Sequence, residues 1–265
     1  MNILDKIVAT KQQEVAAQKK VVSTEQLENY PGFARKCNSL KENLLKEGAS
    51  GIIAEFKQKS PSKGEINFSA KVEEVTKAYN AAGASCLSVL TDFEYFGGTL
   101  ANLAKAREAN PDIPILRKDF MIDNYQILEA KAFGADVILL IAACLSKEKA
   151  LELAKKAKEL GLDVLMEIHN AEELDIVNDF VDVVGVNNRN LKTFEVSVET
   201  SVELSKLIPA KFVKISESGL AGAAEIKYLK EHGFKGFLIG ETFMKTDDPG
   251  AACKKLIEEI VNKRC

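Results

Sequence analysis

Seven side chains stand where they could share one piece of acid–base chemistry. Glu55, Glu167 and Glu217, Lys57 and Lys118, Asn187 and Arg189 each lie at or just past the end of a short apolar run. Carboxylates and ammonium groups held around one molecule can take and give protons, which carbonyl addition and dehydration both require. Glu55 and Lys57 are two residues apart, so on a strand they share a face. With Ile53 pointing inward, both would point toward the same mouth. A single Glu or Lys at a strand end is ordinarily half of a surface ion pair. The convergence of all seven on one rim is not explained that way, because burying charges is costly unless they are paired.

A second pattern suits an anion. One apolar run leads into Ser216-Glu217-Ser218-Gly219-Leu220, the next into Ile239-Gly240-Glu241-Thr242. Glycines at both turns let backbone N–H groups face a phosphate with a helix N-terminus behind them. Lys57 and Arg189 would neutralise its charge. A third feature is Lys59-Ser60-Pro61-Ser62-Lys63-Gly64. It reads either as a rigid exposed loop or as a mobile one closing over a bound anion through Ser60 and Lys63. Phe93, Tyr95 and Phe96 follow the second run. They could floor a pocket for an apolar ring or pack on the N-terminal helix.

These residues need a scaffold, and the chain repeats one unit eight times. The apolar runs are 52–57, 85–90, 113–118, 136–141, 163–168, 182–187, 212–217 and 236–240. Each has the length of a strand buried on both faces. Amphipathic stretches lie between and after them, at 71–82, 100–109, 124–133, 147–160, 171–180, 196–207, 223–232 and 250–261. Gly83, Gly134, Gly161 and Gly233 fall where a helix end favours positive φ. Alternating β and α units imply a parallel sheet with right-handed crossovers, and eight of them close naturally into a (β/α)8 TIM barrel. A doubly wound open sheet fits less well, since no GxGxxG follows the first run and spacing is even. The expectation is one α/β domain, residues 1–265, with residues 1–50 as an N-terminal helical extension. Ile3, Leu4, Ile7, Val8 and Val15 predict a helix there, covering a barrel face or roofing the site.

Composition narrows the function classes. The 36 basic and 39 acidic residues give a net charge of −3, which argues against a nucleic-acid partner. No apolar run is long enough to span a membrane. Charges interrupt the first residues, which therefore do not read as a secretory signal. Five cysteines (Cys37, Cys86, Cys144, Cys253 and Cys265) form no CxxC pair and read as reduced thiols in a cytoplasmic protein. Two histidines, His169 and His232, leave little for a histidine-rich metal site. Composition and spacing alone reach a phosphate-ligand barrel enzyme, with a phosphosugar isomerase or epimerase still open.

Motif order goes further. EFKQKSPSKG (55–64), LTDFEYFGG (90–98), LRKDFMID (116–123), MEIH (166–169), GVNNRNL (185–191), SESGL (216–220) and LIGETFM (238–244) resemble the indole-3-glycerol phosphate synthase family in order and spacing. The resemblance covers essentially the whole chain. It implies a carboxy-lyase of tryptophan biosynthesis with no cofactor and no metal. The implied substrate is a phosphosugar bearing an anthranilate moiety, 1-(2-carboxyphenylamino)-1-deoxyribulose 5-phosphate. By resemblance Lys118 is the general acid at the ketone oxygen, and Glu167 a base or a stabiliser of the positive ring intermediate. Glu55 would pair with and position Lys118, and Lys57 would bind an anion or act as acid in dehydration. Asn187 and Arg189 would orient the anthranilate end, and Glu217 would contact the sugar hydroxyls. Ser218, Gly219, Gly240 and the amide of Glu241 would hold phosphate, with Ser60 on the loop above. Phe93, Phe120 and Leu139 would wall the ring. Position 241 departs from the family pattern, which often has a small hydroxyl residue there. The expected assembly is a monomer or weak homodimer.

Overall fold

The computed structural model describes residues 3–191 and 193–261. Cys265 lies outside them. Eight parallel strands close into a barrel: β1 (Ile52–Phe56), β2 (Cys86–Leu90), β3 (Ile115–Lys118), β4 (Val137–Ile141), β5 (Asp163–Ile168), β6 (Val183–Asn187), β7 (Val213–Glu217) and β8 (Gly236–Ile239). β8 pairs back onto β1, with Ile53 opposite Leu238.

Alternation along each strand divides the core in two. Ile52, Ala54, Phe56, Val164, Met166 and Ile168 face outward into the layer shared with the helices. Ile53, Leu116, Leu139, Leu165, Val183, Ile215 and Leu238 fill the barrel interior. Following that inward face to the strand tops gives Glu55 on β1, Lys118 on β3, Glu167 on β5 and Glu217 on β7. In these barrels alternate strands supply the side chains of one layer. The uppermost layer of the odd strands is therefore made of charge rather than hydrocarbon.

Helices α4 (Val72–Ala81), α5 (Leu100–Ala109), α6 (Asn124–Ala132), α7 (Lys147–Glu159), α9 (Ala223–Glu231) and α11 (Pro249–Val261) begin close to where the pattern places them; α8 (Glu199–Ser205) begins later, and the short α10 (Glu241–Met244) is one the pattern does not place. Local chemistry fixes several starts. Thr99 caps α5 by accepting from the Asn102 amide, and Asp123 forms a capping box with Gln126 on α6. Two predicted helices are shorter. Between β5 and β6 only a 3-10 turn forms, Glu172–Ile176. There the Glu173 carboxylate is drawn back to the His169 amide at 2.7 Å, which ties the segment to the strand end. The stretch beginning at Val196 becomes helical only at Glu199, because Val196 bridges Arg189.

Residues 3–50 run from the top of the barrel to its bottom. Before β1 come α1 (Ile3–Val21), α2 (Thr24–Glu28) and α3 (Leu40–Leu45). α1 lies across the top, putting Ile3, Leu4 and Ile7 against the central cavity. Val15 and Leu27 then pack on Tyr125 and Leu128 of α6. Leu40 and Leu44 close the barrel from below, joining its interior cluster. Of the two readings of the N-terminal helix, α1 takes the roofing one, and α3 covers the opposite end. No helix among the described residues is long and apolar enough to cross a membrane.

Candidate active site

The cavity at the C-terminal ends of the strands measures about 550 Å³, within the range of small-molecule sites. Glu55, Lys57, Ser60, Lys118, Phe120, Leu139, Glu167, Asn187, Arg189, Glu217, Ser218, Gly219, Gly240 and Glu241 all line it. Phe93 does not, which corrects the sequence expectation. Its ring is 70% exposed and faces a shallow outer recess with Gln58 and Phe68. The cause is the turn after β2. Asp92 accepts the Tyr95 amide and the Gly97 amide bonds the Phe93 carbonyl, so the chain folds back and turns Phe93 outward. Phe96 lines the cavity instead, its ring centroid 6.0 Å from that of Phe120. Tyr95 takes the other expected course, with its hydroxyl 3.2 Å from Thr10 on α1.

Lys118 sits between two carboxylates. Its Nζ donates to Glu167 Oε2 and Glu217 Oε2, each at 2.9 Å. Glu55 is not its partner, contrary to expectation. Glu55 Oε1 lies 3.3 Å from Lys57 Nζ on its own strand face, and Oε2 accepts from Ser88. The Lys118 chain reaches across the barrel from β3 toward β5 and β7, away from β1. Two glycines make room for these acids. A Cβ at Gly185 would lie 2.7 Å from Glu217 Oε1, and one at Gly240 would lie 2.6 Å from Glu55 Oε1.

The charges set one another. Burial acts most strongly on Lys118 and disfavours its ammonium, but Glu167, Glu217 and Glu55 together outweigh it, so the group is held above the ordinary lysine value. Burial likewise opposes ionisation of Glu167. Lys118 and then His169 reverse this and hold that carboxyl well below its usual range. Glu217 goes the other way. Burial is the largest influence, Lys118 opposes it, and the charge of Glu167 adds to it; the carboxyl is pushed up to about 7. Two acids sharing one ammonium are thus driven apart, Glu167 toward its carboxylate and Glu217 toward its neutral acid. Glu217 Oε1 has no hydrogen-bond partner among the described residues.

Beside this cluster lie the two glycine turns, one directly after Glu217 and one against Glu55. Ser218 and Gly219 both have positive φ, 68° and 72°. The buried Asn188 holds that turn by donating to Ser216 Oγ and the Ser218 carbonyl, each at 2.9 Å. Gly240 precedes α10, whose first N–H groups lack carbonyls within the helix. The loop after β1 is a small antiparallel hairpin, Lys59–Ser60 against Gly64–Glu65. Its tip, Ser60 to Lys63, leans over the cavity.

Sequence reasoning passed over three features of the site. His169 lines the cavity two residues beyond Glu167, the same spacing that had marked Lys57 after Glu55. Phe194, also on the lining, has φ 61°, which no periodicity announces. Lys11 is buried beside Asp92 and Asp119 at 2.9 and 3.0 Å. It falls on the stripe Ile7–Lys11–Val15, where helical spacing calls for an apolar residue.

An eight-stranded parallel barrel with a charged, partly apolar hollow at the C-terminal ends of its strands defines a (β/α)8-barrel enzyme. Solved structures agree on the fold alone. 3-Hexulose-6-phosphate synthase from Salmonella typhimurium superposes with a TM-score of 0.64 at 12% identity, over 79% of this chain and 98% of that one. Tryptophan synthase subunit alpha from Legionella pneumophila gives 0.60 at 14%, over 84% and 96%. The chain belongs to the indole-3-glycerol phosphate synthase family, whose model matches residues 4–256. Relatives bearing that name include one from Bacteroides thetaiotaomicron, 50% identical over 259 residues, 98% of this chain and 99% of the relative. Another, from Neisseria meningitidis serogroup B, is 44% identical over 259 residues, 96% and 99% respectively. The family is one of carboxy-lyases in tryptophan biosynthesis that act on a small phosphorylated substrate.

Proposed function

We infer that this chain converts 1-(2-carboxyphenylamino)-1-deoxyribulose 5-phosphate to indole-3-glycerol phosphate, carbon dioxide and water. The observation that carries this reading is the Lys118 ammonium between Glu167 and Glu217, above a hollow with an apolar side and two glycine turns. The anthranilate ring lies against Phe96, Phe120 and Leu139. Its carboxylate meets Arg189 and Asn187, and the phosphate meets Ser218, Gly219, Gly240 and the Glu241 amide. The Glu241 carboxylate turns from the phosphate, since like charges repel. Lys57 balances the substrate's remaining negative charge.

Lys118 protonates the ketone oxygen as the ring carbon bonds to the ketone carbon. Glu167, ionised, stabilises the positive ring that results. Loss of carbon dioxide returns the electron pair to the ring system. Dehydration follows, with Lys57 protonating the departing hydroxyl and Glu55 taking the proton that restores aromaticity. Their 3.3 Å separation supports this second acid–base couple. Glu217 contacts the sugar hydroxyls. The free thiols Cys37, Cys86, Cys144 and Cys253 support a cytoplasmic, reducing setting. The working form is a monomer or weak homodimer, which sedimentation at assay concentration checks.

The chain contains no tryptophan, so indole emission reports product against little protein background. The purified protein with this substrate is expected to generate that emission without added metal or cofactor. Turnover of a non-aromatic ketose phosphate in its place would favour an isomerase or epimerase.

Inorganic phosphate is expected to compete weakly with substrate. Gly219→Ala places a Cβ 2.6 Å from Val196 Cγ1 at a φ of +72°, so it should weaken that competition by about 10-fold, the size of a lost charge-assisted contact. Unchanged inhibition by phosphate in the variant would count against the cradle.

A further inference from the structure

A charged group buried beside Glu167 has no part in the steps above. His169 follows β5 and lines the hollow, with its side chain 6% exposed. Its Nε2 lies 3.2 Å from Glu167 Oε1, and its Nδ1 lies 3.2 Å from Glu173 Oε2. Nε2 makes no hydrogen bond among the described residues. It stands beside the Glu167 oxygen off the bonding line, so charge rather than a directed bond joins the two.

We propose that His169, gripped on its far side by Glu173, is a positioning residue that fixes the Glu167 carboxylate opposite Lys118. The proposal deepens the function inferred above and rests on it for the meaning of Glu167.

The arrangement is a chain of alternating charge: Glu173, His169, Glu167, Lys118, Glu217. Glu167 uses Oε2 on Lys118 and presents Oε1 to His169, so both oxygens are engaged by cations from opposite sides. A carboxylate held that way cannot rotate about its terminal bond without breaking one pair. Glu173 is anchored in turn. It accepts the His169 amide at 2.7 Å through Oε2 and the Asn170 side chain at 2.9 Å through Oε1. Asn170 closes the turn by accepting the Glu173 amide. The 3-10 turn that replaces a predicted helix thus exists to bring Glu173 against the imidazole.

Burial pulls the imidazole toward neutrality, but Glu167 and Glu173 reverse it and raise the ring to about 10. Both nitrogens then carry protons at neutral pH. Charged and titratable groups around this pair from other elements are Lys118 and Glu217 from the barrel and Cys144 after β4, with Glu55 beyond Lys118 and Asp5 of α1 near Cys144. The Cys144 thiol is pushed up to about 12 by burial first and then by Glu167 and Glu173, and so stays neutral. Lys118 is the other cation in the set, so His169 is the group that distinguishes the two oxygens of Glu167.

Signs follow from the charges. The imidazolium is present below its raised pKa and lost as pH climbs through it. Without it, Glu167 keeps Lys118 alone, and its carboxyl rises from its depressed value. The acid limb of the kcat profile should therefore move toward neutral pH in His169→Ala. At pH 7 its kcat should fall about 10- to 100-fold, the scale for removing the supporting partner of a working group, with KM near wild type. Added imidazole, while protonated, should restore part of the loss. Glu173→Gln leaves the imidazole in place and lowers its pKa, so its kcat should fall at lower pH on the alkaline side than in the wild type.

The ring itself can be followed by NMR, because the chain has only two histidines. His169 is expected to titrate far above the ordinary value of about 6.5 and to move down in Glu173→Gln, whatever the enzyme turns over. A His169 titrating near the ordinary value overturns the proposal. So does an active wild type whose two variants keep its kcat and pH profile. If His169→Ala fails to fold, Glu173→Gln decides by the same readings. A wild type that makes no indole overturns the functional reading instead, and the ring titration still reports on the ion pair.

Discussion

Lys118→Met is expected to lower indole formation at least ~10²-fold, the scale of a lost general acid, in a protein that still folds at acidic pH. The side chain stays flexible and apolar along its stem but ends one atom short of the ammonium, losing its charge and its N–H donors. Two consequences follow from its neighbours. On the proposed role, the ketone oxygen loses its proton donor, and ring closure is expected to slow. Glu167 and Glu217, both buried, are left facing each other without the ammonium that each now contacts at 2.9 Å. Glu217 already stands at about 7 in the intact site. Without Lys118 its carboxyl rises further. A carboxyl whose folded pKa exceeds its unfolded one favours the fold below the unfolded value and loses that contribution as pH rises through the folded one. The variant's thermal stability should therefore lie closest to wild type in strong acid, lag at pH 5 because Glu167 has lost the cation that depresses it, and fall progressively further behind as pH rises through 7. Activity is read by indole emission and folding by circular dichroism across that range. Near-normal turnover would remove Lys118 from the chemistry, and a pH-independent stability deficit would contradict the account of the two acids.

Much of this architecture could be read before any coordinates. Strand alternation alone sent Glu55, Lys118, Glu167 and Glu217 to one face and one end, because a parallel barrel leaves each strand only an inside and an outside. Which of them would touch was another matter. The pairing of Lys118 with β5 and β7 instead of β1 depends on how far a side chain reaches across a closed barrel, and a linear pattern carries no such distance. The exchange of Phe93 for Phe96 has a similar cause. The two rings stand three residues apart in a turn whose direction is set by the Asp92 side chain and the Gly97 amide. His169 was legible in principle, two residues beyond Glu167 on the same face. Lys11 was legible too, as a charge on an otherwise apolar stripe, once such a break is taken as a sign of buried partners.

Lys11 supports the second large prediction. It lies on α1, yet its ammonium is buried against Glu14 at 2.6 Å, Asp92 at 2.9 Å and Asp119 at 3.0 Å. Asp92 follows β2, and Asp119 is the neighbour of Lys118. Asp119 also pairs with Arg117 at 3.1 Å and accepts from Thr91 at 2.6 Å. A single lysine thus ties the roof helix to the tops of two strands beside the proposed general acid. Burial opposes its charge most, but Asp119 and Asp92 prevail, and the ammonium is held above the ordinary lysine value. Lys11→Met leaves Asp119 buried with Arg117 and takes the Lys11 ammonium away from buried Asp92. Breaking a buried pair from one side typically costs about 3–5 kcal/mol, and that loss is expected in urea unfolding at pH 7. Burial raises Asp119, while Arg117 and then Lys11 more than compensate and lower it. A depressed carboxyl contributes stability above its unfolded pKa and loses it as pH falls. The deficit of Lys11→Met should consequently be full above about 4, the unfolded aspartate value, and narrow only as pH falls below it toward the depressed value of folded Asp119. Because Ile3, Leu4 and Ile7 travel with the same helix, KM should rise more than kcat falls. A variant within about 1 kcal/mol of wild type at pH 7, the median worth of an exposed pair, would mean that α1 is held by its apolar contacts and that the buried charges are incidental to the roof.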